Sequence, residues 1–275
     1  MPRAVLAPVV PLRAMTVADV LDGGFRLLRA APAAVLAPAL VVAVLVAVAD
    51  TAVRLAVDPA ATEVGAVGGA LASALLVQLV AAALGTVGVA AVGCFVAGVL
   101  VCTLEGTAPR LPAVWRLVRG RLPVAVAVGV VVALTQTVAL AFCVVPGVWL
   151  WGLWALAVPA VVVERASVFG ALGRSRQLEG FWRVFGLRLL AVVATTAFGY
   201  LFGVPATLLA GLDATSTTLD AAITALGTLL TSAVVLPLRA AVDVMLYLDQ
   251  RIRREAFDVT VALRRRDAAP AVPVR

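Results

Sequence analysis

The chain has 275 residues, of which 63% are hydrophobic and 13% are charged, and its formal net charge is +7. Soluble domains carry about 25% charged and about 45–50% apolar residues, so this composition excludes a soluble globular protein and indicates a membrane protein. Histidine is absent, which removes the commonest general base and metal ligand, and we expect neither a metal nor another cofactor. All 22 basic residues are arginine, a bias that, together with the abundant Ala and Val, is typical of GC-rich bacterial genes.

Six transmembrane helices are predicted, because each needs about 20 apolar residues to cross a hydrocarbon core about 30 Å thick. They form an all-α membrane domain over residues 15–250, between an N-terminal tail at 1–14 and a basic cytoplasmic C-terminal tail at 251–275. The predicted spans cover about 30–49, 70–104, 122–144, 147–163, 189–211 and 221–248.

The third and fourth spans come from one run of 42 residues, Leu122–Val163, that contains no charged side chain. Its centre reads VVPGVWLWGLW, and the proline disfavours helix in the residue before it. Unpaired backbone groups are not tolerated in hydrocarbon, and tryptophan concentrates at membrane interfaces. We therefore predict a tight hairpin at Pro146-Gly147, with a re-entrant loop or a kinked helix as the alternative.

Arginine is concentrated on one side of this topology, because the opposite loops hold Arg54 alone. Positive charge accumulates in cytoplasmic loops, so we predict that both termini are cytoplasmic, in the inner membrane of a bacterium. Dividing Val64–Leu104 into two spans would move the arginines that follow it to the outside, which favours six spans. The segments on the basic side are 1–29, 105–121, 164–188 and 239–275, with four, four, five and eight arginines respectively.

Three similar segments lead into the first, third and fifth spans: FRLLR at 25–29, WRLVR at 115–119 and WRVF at 182–185. This pattern indicates three consecutive helical hairpins forming a parallel repeat. The alternative is that any inward-facing helix end collects arginine and aromatic residues as membrane anchors. The candidate interfacial lipid contacts are Arg26, Arg29, Arg116, Arg119, Arg183 and Arg188.

Two stretches are predicted to form amphipathic helices at the cytoplasmic headgroup level. Thr16 and Asp19 have the spacing of a capping box at the start of TVADVLDGGFRLLR, whose apolar residues recur at helical spacing. Residues 111–121 place arginines beside Val114 and Trp115. Such helices favour anionic lipid, although packing against the bundle explains the pattern equally well.

Ionisable residues at membrane depth are the best candidates for a functional site. Arg239 and Asp243 are four residues apart, hence neighbours on one helix face, and Arg239 lies about 14 Å in from Leu248 at about 1.5 Å per residue. Two interpretations stand side by side: a polar cavity that holds a headgroup, an anion or a partner helix, or an ion pair neutralised within the bundle. The candidate intramembrane site comprises Arg239, Asp243, Tyr247 and Asp249.

Motifs that support catalysis are missing from the sequence. Metal-assisted hydrolysis uses clustered histidine and carboxylate ligands, whereas the acidic residues here are dispersed. A phosphate-binding loop of the GxxxxGK type requires lysine, which the chain lacks. We therefore expect no catalytic residue, no metal site and no enzymatic activity.

Several segments carry a resemblance to a known family. They are VVPGVWL followed by ALAVPAVVVER, then GALGRSRQLEGFWRVFG, then LYLDQRIRREAFD, with TVADVLDGGFRLLR at the start. In this order they resemble the bacterial glycerophosphoryl diester phosphodiesterase membrane-domain family and its multi-span relatives, from about residue 15 to 260. In some relatives this membrane region is fused to a soluble phosphodiesterase domain, whereas here we expect the membrane domain alone, and the resemblance transfers no active site.

The leading hypothesis is a non-catalytic integral membrane protein that engages membrane lipids or a protein partner through its basic cytoplasmic face. The alternative is a small-molecule or lipid transporter, flippase-like, that uses a polar cavity near Arg239 and Asp243. Small residues at four-residue spacing, such as Ala81 with Gly85, permit close helix packing and self-association into a homo-oligomer. We expect no nucleic-acid partner.

Overall fold

The computed structural model describes residues 14–57, 66–178, 180–210 and 217–256, and in this part 89% of the residues are helical and none lies in a strand. Residues 1–13 of the predicted N-terminal tail and residues 257–275 of the predicted C-terminal tail fall outside the described residues. The helices are α1 (Val17–Ala30), α2 (Pro32–Ala56), α3 (Ala66–Leu104), α4 (Leu111–Val118), α5 (Leu122–Phe142), α6 (Val144–Leu153), α7 (Ala157–Val163), α8 (Val168–Leu178), α9 (Phe181–Ala210) and α10 (Thr217–Glu255).

Six segments of the described chain are long and apolar enough to cross a membrane. They are Pro32–Ala56, Leu71–Leu104, Leu122–Phe142, Val144–Val163, Phe181–Leu201 and Leu219–Glu255. The predicted number of spans is therefore confirmed, and the chain is an all-α, multi-pass membrane protein. The fifth span begins at Phe181 rather than at the predicted residue 189, because Arg183 and Arg188 bond carboxylates of α10 and stay within the helix.

Each pair of spans follows a short helix: α1 precedes α2 and α3, α4 precedes α5 to α7, and α8 precedes α9 and α10. The capping box predicted for α1 is confirmed, since Thr16 Oγ1 accepts from the amide of Asp19 and Asp19 Oδ2 accepts from the amide of Thr16. The WRVF segment lies in α9, whereas the FRLLR and WRLVR segments end short helices. The element order suits a three-hairpin repeat, which stays a prediction.

The three short helices lie at one end of the bundle. Gly23 of α1 packs on Met245 of α10, Val118 of α4 packs on Gly98 of α3, and α8 packs on α7. We call this the arginine-rich end, and we call the end where α2, α5 and α9 finish the distal end.

The hairpin between the third and fourth spans is present, but its break is at Cys143 rather than at Pro146-Gly147. Cys143 has extended backbone angles (φ −162°, ψ 135°), and Pro146 lies in the first turn of α6, where a missing amide leaves no helical bond unmade. A Cβ on Gly147 would lie 2.5 Å from Leu140 Cγ. Glycine therefore lets α6 return close against α5.

The fourth span is itself interrupted, because α6 ends at Leu153 and α7 begins at Ala157. Ser175 of α8, which is fully buried, repairs the interruption. Its hydroxyl donates to the carbonyl of Leu153 over 2.8 Å and accepts from the amide of Leu156 over 3.2 Å. Non-helical backbone at membrane depth is tolerated only where such internal partners exist.

Packing is dense at the arginine-rich end and looser toward the distal end. The last turns of α3 and α10 carry large, fully buried side chains such as Leu100, Met245 and Leu248. α10 is the central helix and packs against α1, α2, α3 and α9. In the distal half, one cavity lies between α2, α3, α9 and α10, and another lies between α3, α5, α6, α9 and α10.

Candidate binding cavities

The larger cavity, here called the main cavity, has a volume of about 520 Å³ and lies between α2, α3, α9 and α10. Its walls are rich in hydroxyl groups from α9 and α10, and the Asp50–Arg54 pair stands at its distal end, with 2.8 Å between Oδ2 and Nε. The polar lining residues are Asp50, Arg54, Gln78, Thr195, Thr196, Tyr200, Thr224, Thr228, Thr231, Ser232 and Arg239.

Arg239 closes the deep end of the main cavity. It precedes Asp249 by ten residues, hence by about 15 Å of helix, and Asp249 bonds the backbone of Met15 at the arginine-rich end. This position is near the middle of a hydrocarbon core about 30 Å thick. Its Nε donates to Thr195 Oγ1 over 2.9 Å and its Nη2 donates to Thr196 Oγ1 over 3.2 Å.

A second cavity, the inner cavity, lies on the other side of Arg239 and has a volume of about 390 Å³. It is lined by α3, α5, α6, α9 and α10, and it shares Ala81, Gly85 and Arg239 with the main cavity. Arg188 and Asp243 form its wall toward the arginine-rich end. Trp151 also lines it, with the Arg188 guanidinium 4.7 Å from the centre of the indole ring.

The ion pair between Arg239 and Asp243, one of the two interpretations of their spacing, is not formed, because Arg188 bonds that carboxylate. Arg188 Nε lies 3.0 Å from Asp243 Oδ1 and its Nη2 lies 3.1 Å from Oδ2, while its Nη1 donates to the carbonyl of Trp151. α9 and α10 run antiparallel, so the beginning of α9 faces the later part of α10. Arg239, one turn earlier in α10, faces Thr195 instead.

The inner cavity therefore has an unbalanced charge. Of its described lining residues, Arg188 and Arg239 are basic and Asp243 is acidic. Among the described residues, no carboxylate lies within ion-pair distance of Arg239. A cation at this depth is costly unless a counter-charge or water compensates it, so the arrangement is suited to an anion.

Tyr247 and Asp249, the other two candidates for the intramembrane site, lie outside both cavities. Tyr247 Oη donates to Glu164 Oε1 over 2.6 Å. Asp249 is fully buried and accepts from the amide of Met15 over 2.8 Å and from Arg183 Nε over 3.0 Å. These bonds tie α1, α7, α9 and α10 together and close the arginine-rich end.

A neighbouring ion network reinforces this closure. Arg174 of α8 bonds Glu164 over 2.7 Å and also bonds Glu255, which Arg251 bonds over 3.0 Å. Burial opposes the charge of Arg174, but the hydrogen bonds and charges of the two glutamates outweigh it and raise the pKa of Arg174 above its ordinary value. The guanidinium thus connects the end of α7 and the end of α10 to α8.

The six predicted lipid contacts divide into two groups. Arg26 and Arg29 on α1, with Arg116 and Arg119 at α4, are exposed, and exposed Phe25 and Trp115 lie beside them. Arg183 and Arg188 instead bond carboxylates of α10. The aromatic–arginine segments therefore have different environments at the three positions.

Sequence reasoning missed several parts of this region. Hydropathy shows neither the interruption after Leu153 nor the role of Ser175, and the tryptophans assigned to an interface include Trp151, which lines the inner cavity. Thr195 and Thr196 could be recognised only as polar residues in a span, because their contact with Arg239 depends on the register of α9 against α10.

Fold and cavities together define a multi-pass helical membrane protein with two cavities, partly lined by polar side chains, between its helices. Comparison of the chain with protein-family models, curated proteins and solved structures finds no match. No three of the described Cys, Asp or Glu side chains group as metal ligands would.

Proposed function

We propose that the protein is a non-catalytic transporter or flippase of the bacterial cytoplasmic membrane that takes an anionic lipid or small anion into the main cavity. The observation that carries this proposal is Arg239, a cation at mid-membrane depth that bonds two threonine hydroxyls at the deep end of the cavity. For this reason we favour transport over docking at the basic face.

The chemistry of the cavity supports an amphiphilic or small polar occupant. Its volume of about 520 Å³ falls within the 300–1,000 Å³ typical of ligand sites. Hydroxyl groups can donate to phosphate or carboxylate oxygens, and the guanidinium provides a charge-assisted, two-point contact. Because Arg239 already contacts Thr195 and Thr196, little reorganisation is required when an anion binds.

The direction of access follows from the charge distribution. If arginine-rich loops are cytoplasmic, the closed end faces the cytoplasm and the main cavity extends toward the outer leaflet. A membrane domain of the phosphodiesterase-associated family, which the sequence resembles, would suit a role in handling phosphate-bearing lipids.

Binding of matched short-chain lipids to the purified full chain tests the proposal. Dihexanoyl phosphatidylglycerol should bind, as detected by native mass spectrometry, and dihexanoyl phosphatidylcholine should bind much more weakly. Arg239→Gln should weaken phosphatidylglycerol binding at least about tenfold, since charge-assisted hydrogen bonds contribute about 1.5–3 kcal/mol each. Arg110→Gln, an exposed change of equal charge at the start of α4, is the control. A folded Arg239→Gln variant that keeps its affinity would refute the proposal.

A second candidate function is docking of anionic lipid at the arginine-rich end. The observation that favours it is the exposure of Arg26, Arg29, Arg116 and Arg119 beside the exposed rings of Phe25 and Trp115. Replacing these four arginines with glutamine should reduce the enrichment of anionic lipid co-purified in native nanodiscs, while Arg239→Gln leaves it unchanged. Equal lipid composition around both proteins would remove this candidate.

A further inference from the structure

We propose that Arg188 is a second anion-binding position and that Asp243 occupies it when the cavities are empty. The carboxylate is then an internal substitute for the ligand, and an incoming anion displaces it. This inference rests on the proposed function, because the anion reaches Arg188 from Arg239 through the inner cavity.

The geometry of Arg188 is that of an occupied anion site. Its two bonds to Asp243, of 3.0 and 3.1 Å, form the bidentate arrangement that a phosphate or carboxylate ligand would also adopt. The Arg188 side chain is 14% exposed, and it lines the inner cavity. A ligand oxygen could therefore take the place of a carboxylate oxygen without a change in the kind of contact.

Charge balance favours the entry of an anion into the inner cavity. Arg188, Arg239 and Asp243 line one cavity and leave one positive charge uncompensated. An anion between the two arginines balances that charge, and the carboxylate then competes with it for Arg188. Removing the carboxylate charge should strengthen anion binding, whereas removing Arg239 should weaken it.

The exchange also has a structural consequence at the fourth span. Arg188 donates to the carbonyl of Trp151, two residues before the end of α6, and the interruption between α6 and α7 follows. A small cavity of about 30 Å³ beyond the Arg188–Asp243 pair is lined by Trp154 and Ala155 of this interruption. Breaking the pair therefore loosens the wall that separates the inner cavity from the arginine-rich end.

Titration of the Asp243→Asn variant with anions is the first test. Phosphatidylglycerol affinity, with dihexanoyl chains, should rise about tenfold or more, which corresponds to about 1.4 kcal/mol. Glu105→Gln, an exposed change of the same charge, should leave it unaltered. A parallel titration with inorganic phosphate distinguishes the two sources, because a site for free anions responds to phosphate alone and a lipid site requires the acyl chains. Unchanged or weaker binding of both probes to folded Asp243→Asn overturns the inference.

Tryptophan fluorescence of the wild-type protein provides a second test, which does not depend on whether Asp243→Asn folds. Phosphatidylglycerol should change the tryptophan emission of the wild-type protein, because the anion and Arg188 rearrange beside the Trp151 ring. Trp151→Phe should abolish the change, and Trp182→Phe, which removes a ring 80% exposed, should keep it. Binding at saturation with no Trp151-dependent change overturns the inference.

The two proposals fail in different ways. If Arg239→Gln binds normally, no anion enters by way of Arg239 and the proposed function itself is wrong. A different result is that Arg239→Gln loses binding, Asp243→Asn keeps the wild-type affinity and the emission of Trp151 does not change. An anion then binds in the main cavity and does not reach Arg188. Only the exchange at Arg188 is then excluded.

Discussion

Replacing Ser175 with alanine should destabilise the bundle more than the loss of a hydroxyl that lines the main cavity, such as that of Ser232. The serine is fully buried and is the partner of two backbone groups that the interruption of the fourth span leaves free, the carbonyl of Leu153 and the amide of Leu156. The backbone bonds around the interruption give neither group a partner in the helices on either side.

The magnitude follows from the number of groups left unsatisfied. A buried donor or acceptor without a partner costs about 1–3 kcal/mol, so the loss of two bonds should lower the free energy of unfolding by about 2–6 kcal/mol. Total stabilities of folded domains are about 5–15 kcal/mol, so the change is large. Ser175→Cys retains a weak donor and a weak acceptor and should lie between alanine and wild type.

Equilibrium unfolding in mixed micelles, followed by circular dichroism, measures this difference. Ser232→Ala is the matched control, because Ser232 is half-buried in α10 and lines the main cavity instead of a helix interruption. It should change the free energy of unfolding by less than about 0.5 kcal/mol, as substitutions away from buried networks usually do. Equal stabilities of the two alanine variants would show that the interruption does not depend on Ser175.

Two further predictions concern the buried carboxylates of α10. Asp249→Ala should lower the free energy of unfolding by about 3–5 kcal/mol, the usual effect of removing one partner of a buried ion pair, because Arg183 and the amide of Met15 lose their acceptor. Unfolding curves measure this loss, and limited proteolysis should show earlier cleavage at the N-terminus. Asp243→Leu should also destabilise, and adding Arg188→Met should recover most of the loss, whereas adding Arg239→Met should not.

Each of these predictions has a result that contradicts it. Asp22→Ala, an exposed change on α1, is the control for Asp249→Ala, and similar unfolding curves for the two would mean that α1 is held by its apolar face alone. In the double-mutant cycle, the contradicting result is that Arg239→Met, and not Arg188→Met, rescues Asp243→Leu. Asp243 would then pair with Arg239, as their helical spacing suggests.

The number of spans was predictable because hydropathy is additive along the chain. A run of about 20 apolar residues must lie in the hydrocarbon whatever its neighbours are, and the six predicted spans correspond to the six observed ones. The capping box at Thr16 was predictable for a similar reason, since both of its bonds join residues three apart.

The partner of Asp243 was not predictable in this way. Spacing identifies neighbours on one helix, and it placed Arg239 beside Asp243. The guanidinium of Arg188, on the facing helix α9, instead bonds both carboxylate oxygens of Asp243. Which residue of α9 faces Asp243 depends on the register of two antiparallel helices, and that register is set by packing along their whole length. The pattern of a single sequence does not contain information about this register.

The position of the cavities follows from a property of the sequence that hydropathy does not weigh. Lipid tails are as apolar as leucine, so helices in a membrane associate mainly through the fit of their surfaces. Toward the arginine-rich end, α10 carries Met245, Leu246 and Leu248, which fill the space between helices. In its distal half the inward residues are small and polar, with Thr224, Thr228 and other hydroxyls lining the main cavity. Side chains of this size leave room between helices, and their hydroxyl groups require partners, so the space they leave is suited to a polar ligand.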